Sequence, residues 1–324
     1  MGTGQYANTG MAWLRGGGPG RRLRRVSARP AVDVVLPFFG SVEQLENVSQ
    51  RLAALGVRQG DTLTIADNRP GATDAARGPV RIVAAAGRRT SYHARNRGVA
   101  GGEGPWIVFL DADVLPPADL LDRYFEPLPA DDVGILAGAV IDEPAPDDRP
   151  ATAAERYAYL KSSMSQEVTL AHGEWAFAQT ANAAVRRVAF EQVGGFEDGV
   201  RSGGDADLCY RVRAAGWTLE RRDQAAVVHR NRATVPRMLA QRARHGAGAA
   251  WLARRWPGAL PRRHWPGLAF WAARRAAHGL TSAARNDRDA MLLGLLDGPA
   301  VWAFELGRLI PNRPRPRLRD YVRR

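Results

Sequence analysis

The chain has a single cysteine, Cys209, and a single lysine, Lys161, among 324 residues. One cysteine excludes an intramolecular disulfide and a cysteine-based metal cluster. The fold must then rest on its apolar core, and a chain of this length can bury a sizeable one, as one large domain with appendages or at most two domains. Long apolar runs are also missing. No stretch reaches the roughly 18 uninterrupted apolar residues of a spanning helix. The nearest, residues 291–310, holds Asp297, Pro299, Glu305 and Arg308 and reads as one or two amphipathic helices. The basic first residues are followed by no apolar h-region, so no secretory signal is expected. Together with the lone thiol this points to the cytoplasm.

What is abundant is arginine. The net charge is +13 and the pI about 11.0, yet the charge is segregated. Residues 1–30 carry six arginines and no acidic residue, and read as a disordered Gly/Arg arm. Residues 230–324 carry 20 arginines against five acidic residues, which leaves the middle of the chain acidic. Three spans result: the arm at 1–30, an α/β domain at 31–230, and an Arg/Trp-rich, mostly helical region at 231–324. In the last, Trp251, Trp256, Trp265 and Trp271 interleave with Arg254, Arg255, Arg262, Arg263, Arg274 and Arg275. That pattern suits an anionic membrane surface, such as the inner face of the cell membrane. It also suits a helical subdomain with tryptophan inside and arginine outside.

The middle span alternates strand and helix patterns. AVDVVLP from Ala31 is a buried strand ended by a proline, and SVEQLENVSQRLAALG a helix with Ser41 as cap. TLTIAD at 62–67, GPVRIVAAA near 78–86 and WIVFLDAD at 106–113 are further strands, with a helix at 90–100. Later come a strand at 133–141, a helix at 151–171, a strand within 177–187, a helix from about Asp205 to Ala215 and a last strand near 225–230. Alternation at this spacing predicts βαβ units, a mostly parallel doubly wound sheet, and strand C-termini gathered at one ligand-binding edge. Asp67 and Asp113 lie just past such termini.

Four segments hold residues that can carry chemistry. Asp111 and Asp113 close the most apolar strand as a hard-oxygen pair suited to Mg²⁺ or Mn²⁺ shared with a diphosphate; the bland alternative is a solvated turn. Asp67 can accept from a base or ribose, or merely make a turn. Asp205 follows Gly203 and Gly204 at a helix start, where the helix dipole favours an ionised carboxylate; Asp207 lies two residues on, and both could be simple caps. His229 ends an apolar strand and could complete a cation site, although a lone histidine is more often structural.

The order of VDVVLPFFG, TIADN, ARNRG, IVFLDADV, VGGF, GGDADLCYRVRAAGW and VVH resembles that of family 2 glycosyltransferases of the GT-A fold, over residues 31–230. The resemblance implies a metal-dependent, inverting transfer of a sugar from a nucleotide-diphosphate donor to an acceptor hydroxyl; the membrane reading of the Arg/Trp-rich region would make that acceptor lipid-linked or of the cell envelope. It implies that Pro37 and Asp67 line the nucleotide pocket, that Arg95 approaches the donor, that Asp111 lies near the ribose or metal, and that Asp113 holds the metal with His229 beside it. It makes Asp205 the catalytic base, the aspartate of a Glu-Asp pair whose glutamate is here Gly204. Asp207 is expected on the acceptor side. So are Gln241 and Arg244, which match in part the Gln-x-x-Arg-Trp motif of processive members. Here the tryptophan is replaced by His245, which with the lack of spanning helices favours single addition over polymerisation. DNRP also departs from the family's D-x-S. RHGAGAAWLARRWPG is similar to the tail of glycosyltransferases from mycofactocin clusters.

Two other classes compete. A sugar nucleotidyltransferase uses a related sheet, but carries a Gly-rich basic loop where this chain reads PFFGSVEQ. A non-enzymatic membrane or nucleic-acid adaptor would bind with strong salt dependence and ignore substitution of Asp113 or Asp205. Carboxylates aligned at strand ends argue against it.

Overall fold

The computed structural model describes residues 29–314, so the expected arm at 1–30 lies almost wholly outside the described residues. Nine strands form one sheet: β1 (Val32–Phe38), β2 (Thr62–Asp67), β3 (Ala75–Arg77), β4 (Val80–Ala84), β5 (Trp106–Leu110), β6 (Val114–Leu115), β7 (Val133–Asp142), β8 (Asn182–Arg186) and β9 (Thr218–His229). Their order is β3-β4-β2-β1-β5-β8-β7-β9-β6. Over the middle span lie helices α1 (Val42–Ala53), α2 (Ser91–Val99), α3 (Leu120–Tyr124), α4 (Ala153–Leu160), α5 (Gln166–Leu170), α6 (Arg187–Gln192) and α7 (Gly204–Ala214). Then follow α8 (Val235–Arg255), α9 (Trp265–Ala284) and α10 (Arg288–Gly307).

The apolar runs of β1 and β5 are buried on both faces because helices cover both. Val34, Leu36 and Val108 pack with Leu45 and Leu52 of α1 and Leu121 of α3. The alternate residues Val35, Ile107 and Phe109 pack on the opposite face with Val99 of α2, Phe190 of α6 and Leu208 and Val212 of α7. This is the doubly wound arrangement expected. α1 begins with a reciprocal capping box, in which Ser41 accepts from the Gln44 amide and Gln44 returns to Ser41.

β4, β2, β1 and β5 are parallel, so Phe38, Asp67, Ala84 and Leu110 end on one edge. Beyond β5 the sheet is mixed. β8 runs antiparallel to β5, pairing Asn182 with Leu110. β7 is antiparallel to β8 and parallel to β9, which sets Asp142 beside His229. The chain leaving Asp113 then crosses to the far side, where β6 pairs Val114 with His229. That crossing brings the end of β5 and the end of β9 to the same edge.

The helix expected over 151–171 is two helices. Ser162 adopts a left-handed φ of 46°, and the Met164 amide bonds the Asp142 carboxylate. The expected strand near 225–230 is the end of a twelve-residue β9, whose polar first half, Thr218–Asp223, was not anticipated and pairs with β7. β3, a short hairpin partner of β4, was not anticipated.

The C-terminal region packs through small residues. A Cβ at Gly246 of α8 would sit 1.9 Å from the Phe304 carbonyl of α10, and one at Gly294 of α10 would sit 2.5 Å from the Cα of Gly279 of α9. The stretch 291–310 is mostly one helix, α10, despite Pro299. By length and composition α10 could cross a membrane. Its buried acids anchor it: Asp297 to Lys161 and Tyr157 of the α/β domain and to Arg275 of α9, and Glu305 to Arg263 before α9 and to Arg308.

Candidate active site

A cavity of about 720 Å³ opens at the gathered strand ends, roofed by α8 and the turns before α9 and after α10. Arg95, Asp111, Asp113, Asp205, His229, Gln241 and Arg244 all line it. Two adjoining cavities, of about 430 and 870 Å³, are lined by Pro37, Phe38 and Phe39 and share Ser91 and Arg244 with it. Together they make one cleft, and most of the expected site residues meet there.

Asp205 is placed by backbone before side chain. Gly203, at φ 83°, occupies the left-handed region as the N-cap of α7, and a Cβ there would lie 2.9 Å from the Leu252 side chain. At Gly204 a Cβ would lie 2.8 Å from the Tyr92 ring. Tyr92 thus fills the space a side chain at 204 would need, and its hydroxyl donates to Asp205 Oδ1 at 3.3 Å. Burial raises the Asp205 pKa, and Asp111 adds to this, against the Ala206 amide and Arg95. A carboxylate raised in this way suits proton abstraction better than the stabilised anion expected at a helix start.

On the floor, the buried Arg95 guanidinium pairs with Asp111 and lies over the Tyr92 and Phe196 rings. Past Leu110 the backbone turns rather than staying extended, yet Asp111 and Asp113 both face the cleft. His229 sits between two carboxylates, with Nε2 3.6 Å from Asp113 and Nδ1 3.6 Å from Asp142. These are charge contacts too long for hydrogen bonds, and His229 Nδ1 and Asp142 Oδ1 have no other partner. Burial lowers the imidazole pKa, but Asp113 and Asp142 outweigh it and hold His229 up at about 9. Arg232 reaches Asp113 at 3.3 Å.

The donor set fits a divalent cation. A carboxylate and an imidazole nitrogen face each other, with a second carboxylate behind the imidazole. Among the described residues no group of three or more His, Cys, Asp or Glu side chains could hold an ion alone. Asp113 and His229 would therefore hold it jointly with oxygens of a diphosphate.

Two expectations need correction. Asp207 does not face the acceptor side: it is fully buried, bonded to Arg211, Arg255 and the Trp256 indole, and ties α7 to the end of α8. Asp67 reaches the right edge but does not line the cleft. Its carboxylate is closed off by the backbone amide and guanidinium of Arg69, and its neighbour Asn68 lines the cavity instead. Three site residues escaped sequence reading. Asp142 had a signal, an acid ending an apolar strand; Tyr92 and Arg232 had none.

Residues 106–295 match the model of the glycosyl transferase family group 2, more than half of the chain. A pre-mycofactocin glycosyltransferase of Mycobacterium tuberculosis is 31% identical over 168 residues, covering 51% of this chain and 35% of that protein. The chain thus spans about a third of the length of that relative. The glycosyltransferase AglE of Haloferax volcanii is 27% identical over 203 residues, covering 60% of this chain and 64% of that one. Among solved structures, the mannosyltransferase PcManGT from Pyrobaculum calidifontis, in complex with GDP-Man and Mn²⁺, superposes with a TM-score of 0.52 at 18% identity, over 87% of this chain and 74% of that one. That likeness shows the fold.

Proposed function

The chain belongs to the glycosyl transferase family group 2, and from that premise we propose that it moves a sugar from a nucleotide-diphosphate donor to an acceptor hydroxyl by a single inverting displacement. The observation that carries this reading is the meeting of Asp111, Asp113, Asp205 and His229 in one cleft, although they are spread over more than a hundred residues of chain. The donor lies across the parallel strand ends, with its base toward Pro37 and Asn68 and its diphosphate toward Asp111 and Asp113. The superposed mannosyltransferase, which is in complex with GDP-Man and Mn²⁺, supports a nucleotide-sugar donor on this fold.

Asp113 and His229 would hold a divalent cation, Mn²⁺ or Mg²⁺, which would supply Lewis-acid stabilisation of the leaving diphosphate. Asp142 keeps the imidazole oriented, and Arg95 holds Asp111 in place. The Asp205 carboxylate takes the proton of the acceptor hydroxyl as its oxygen bonds the anomeric carbon from the face opposite the diphosphate. The bond to the diphosphate oxygen breaks, and its electron pair leaves with the nucleotide. The roof formed by α8 excludes water and orients the two substrates. Gln241 and Arg244, on that roof, lie on the acceptor side.

The acceptor is proposed to be lipid-linked or of the cell envelope, with the protein at the inner membrane surface. In support, Trp265, Phe270, Trp271 and Leu280 of α9 are exposed beside arginines. The test of the reaction is release of nucleoside diphosphate from a panel of nucleotide sugars, with pyrophosphate followed in parallel. Nucleoside diphosphate and no pyrophosphate is expected. Asp205→Asn should bind donor normally and lose about 10²–10⁴-fold in kcat. Near-normal turnover would remove Asp205 from its role.

A further inference from the structure

The cavity that holds Asp205 carries more positive charge than a nucleotide sugar balances. Of its arginines, Arg95 is tied to Asp111 and Arg232 to Asp113, while Arg263 and Arg308 share Glu305. Arg242, Arg244 and Arg262 pair with no carboxylate among the described residues. Arg242 reaches only the Ser163 hydroxyl, at 3.0 Å, and the buried Nε of Arg244 has no acceptor. The effect of Arg244 and Arg242 is felt at His245 in the same cavity. Burial first, then Arg244, Arg242 and Arg232, push its imidazole down to about 3, so it stays neutral.

The donor does not account for this charge. A diphosphate accompanied by a divalent cation is nearly neutral, since the ion's charge counts in full at such a site. Position argues the same way. Arg242 and Arg262 line only the cavity of Asp205, while the adjoining cavities at Pro37 and Asn68 include neither. Unpaired guanidinium groups in a half-enclosed cavity repel one another, and the cluster is relieved by an anion that offers bidentate oxygens. The surrounding wall of Met164, Val168, Leu252 and Phe304 is apolar.

We propose that the acceptor presents a phosphate beside its reacting hydroxyl, held by Arg242 and Arg262, with Arg244 between that anion and the diphosphate. The proposal rests on the transferase reading above and names its acceptor class. It is tested by calorimetry on the full chain saturated with nucleoside diphosphate and Mn²⁺. The probes are phenyl phosphate, farnesyl phosphate in detergent micelles, and benzyl alcohol as the neutral counterpart. Binding of phenyl phosphate, or of farnesyl phosphate alone, is expected, and distinguishes a soluble from a lipid-borne source of the group; benzyl alcohol should not bind. The double variant Arg242→Gln, Arg262→Gln should weaken phosphate binding at least tenfold and leave nucleotide affinity unchanged, which also shows that it is folded. The surface control Arg285→Gln, Arg288→Gln should change neither. The proposal is overturned if neither phosphate binds, if the phosphate displaces the nucleotide, or if the control weakens binding as much as the double variant. A chain that binds no nucleoside diphosphate at all would overturn the transferase reading, and this proposal with it.

Discussion

Gly204 and Tyr92 divide between them the space beside Asp205. The ring packs against the bare backbone of Gly204, and the hydroxyl reaches the carboxylate of the next residue. A hydrogen bond to an ionised carboxylate favours that ion, so removing it raises the pKa. Tyr92→Phe should therefore move the acid limb of the kcat–pH profile upward and lower kcat at neutral pH by about tenfold, with donor KM unchanged. An unshifted profile would limit the ring to packing. Asp205 was legible in sequence because glycines and a helix start surround it. Asp207 was misread for a geometric reason. Two residues along a helix turn the side chain by about 200°, so the pair cannot share a face. Asp142 ends an apolar strand, a signal visible in the sequence, but its partner His229 follows only from the pairing of β7 with β9.

At the scale of elements, the cleft depends on how closely α8 and α10 approach. With a Cβ 1.9 Å from a backbone carbonyl, Gly246→Ala cannot be absorbed by a side-chain rotation. The helices must separate, at a cost of about 1–3 kcal/mol. A lower Tm is expected, together with a raised acceptor KM, because Gln241 and Arg244 ride on α8; thermal melts and steady-state kinetics check both. α4 offers a pH test. Its capping-box residue Glu155 is held down at about 2, first by Arg149, whose effect burial opposes, and then by Thr152. A depressed carboxyl stabilises the fold above its ordinary range, near 4.5, and this is lost as pH falls toward about 2. With Arg149 partly exposed, the contribution is of order 1 kcal/mol. Glu155→Gln should lower Tm at pH 7 and make no difference near pH 2, as melting curves across that window would show. The helix pattern over 151–171 hid the break at Ser162, because both halves are amphipathic and the interruption is set by the Asp142 contact.

At the scale of the molecule, charge is sorted: carboxylates gather at the strand ends, and arginines coat the C-terminal helices. If α9 meets a membrane, co-sedimentation should require anionic vesicles and fall with salt, since exposed charges are screened within about 10 Å at 0.1 M. Phe270→Ser with Trp271→Ser should reduce binding several-fold and leave turnover of a soluble acceptor unaltered. Equal sedimentation with neutral lipid, or none at all, would leave α9 as the outer layer of a helical subdomain.

By itself the sequence determined the elements whose patterns are local. Apolar runs bounded by turn residues specify buried strands, periodic helices cover them, and polar residues at strand ends fall on the ligand edge. Tertiary structure alone decided the rest: the antiparallel entry of β8, the crossing of β6 to β9 that joins Asp113 to His229, the Arg69 lid on Asp67, and the arginine wall opposite Asp205. These features depend on register and on helix–helix approach between segments distant in the chain, and a local pattern carries no information about either.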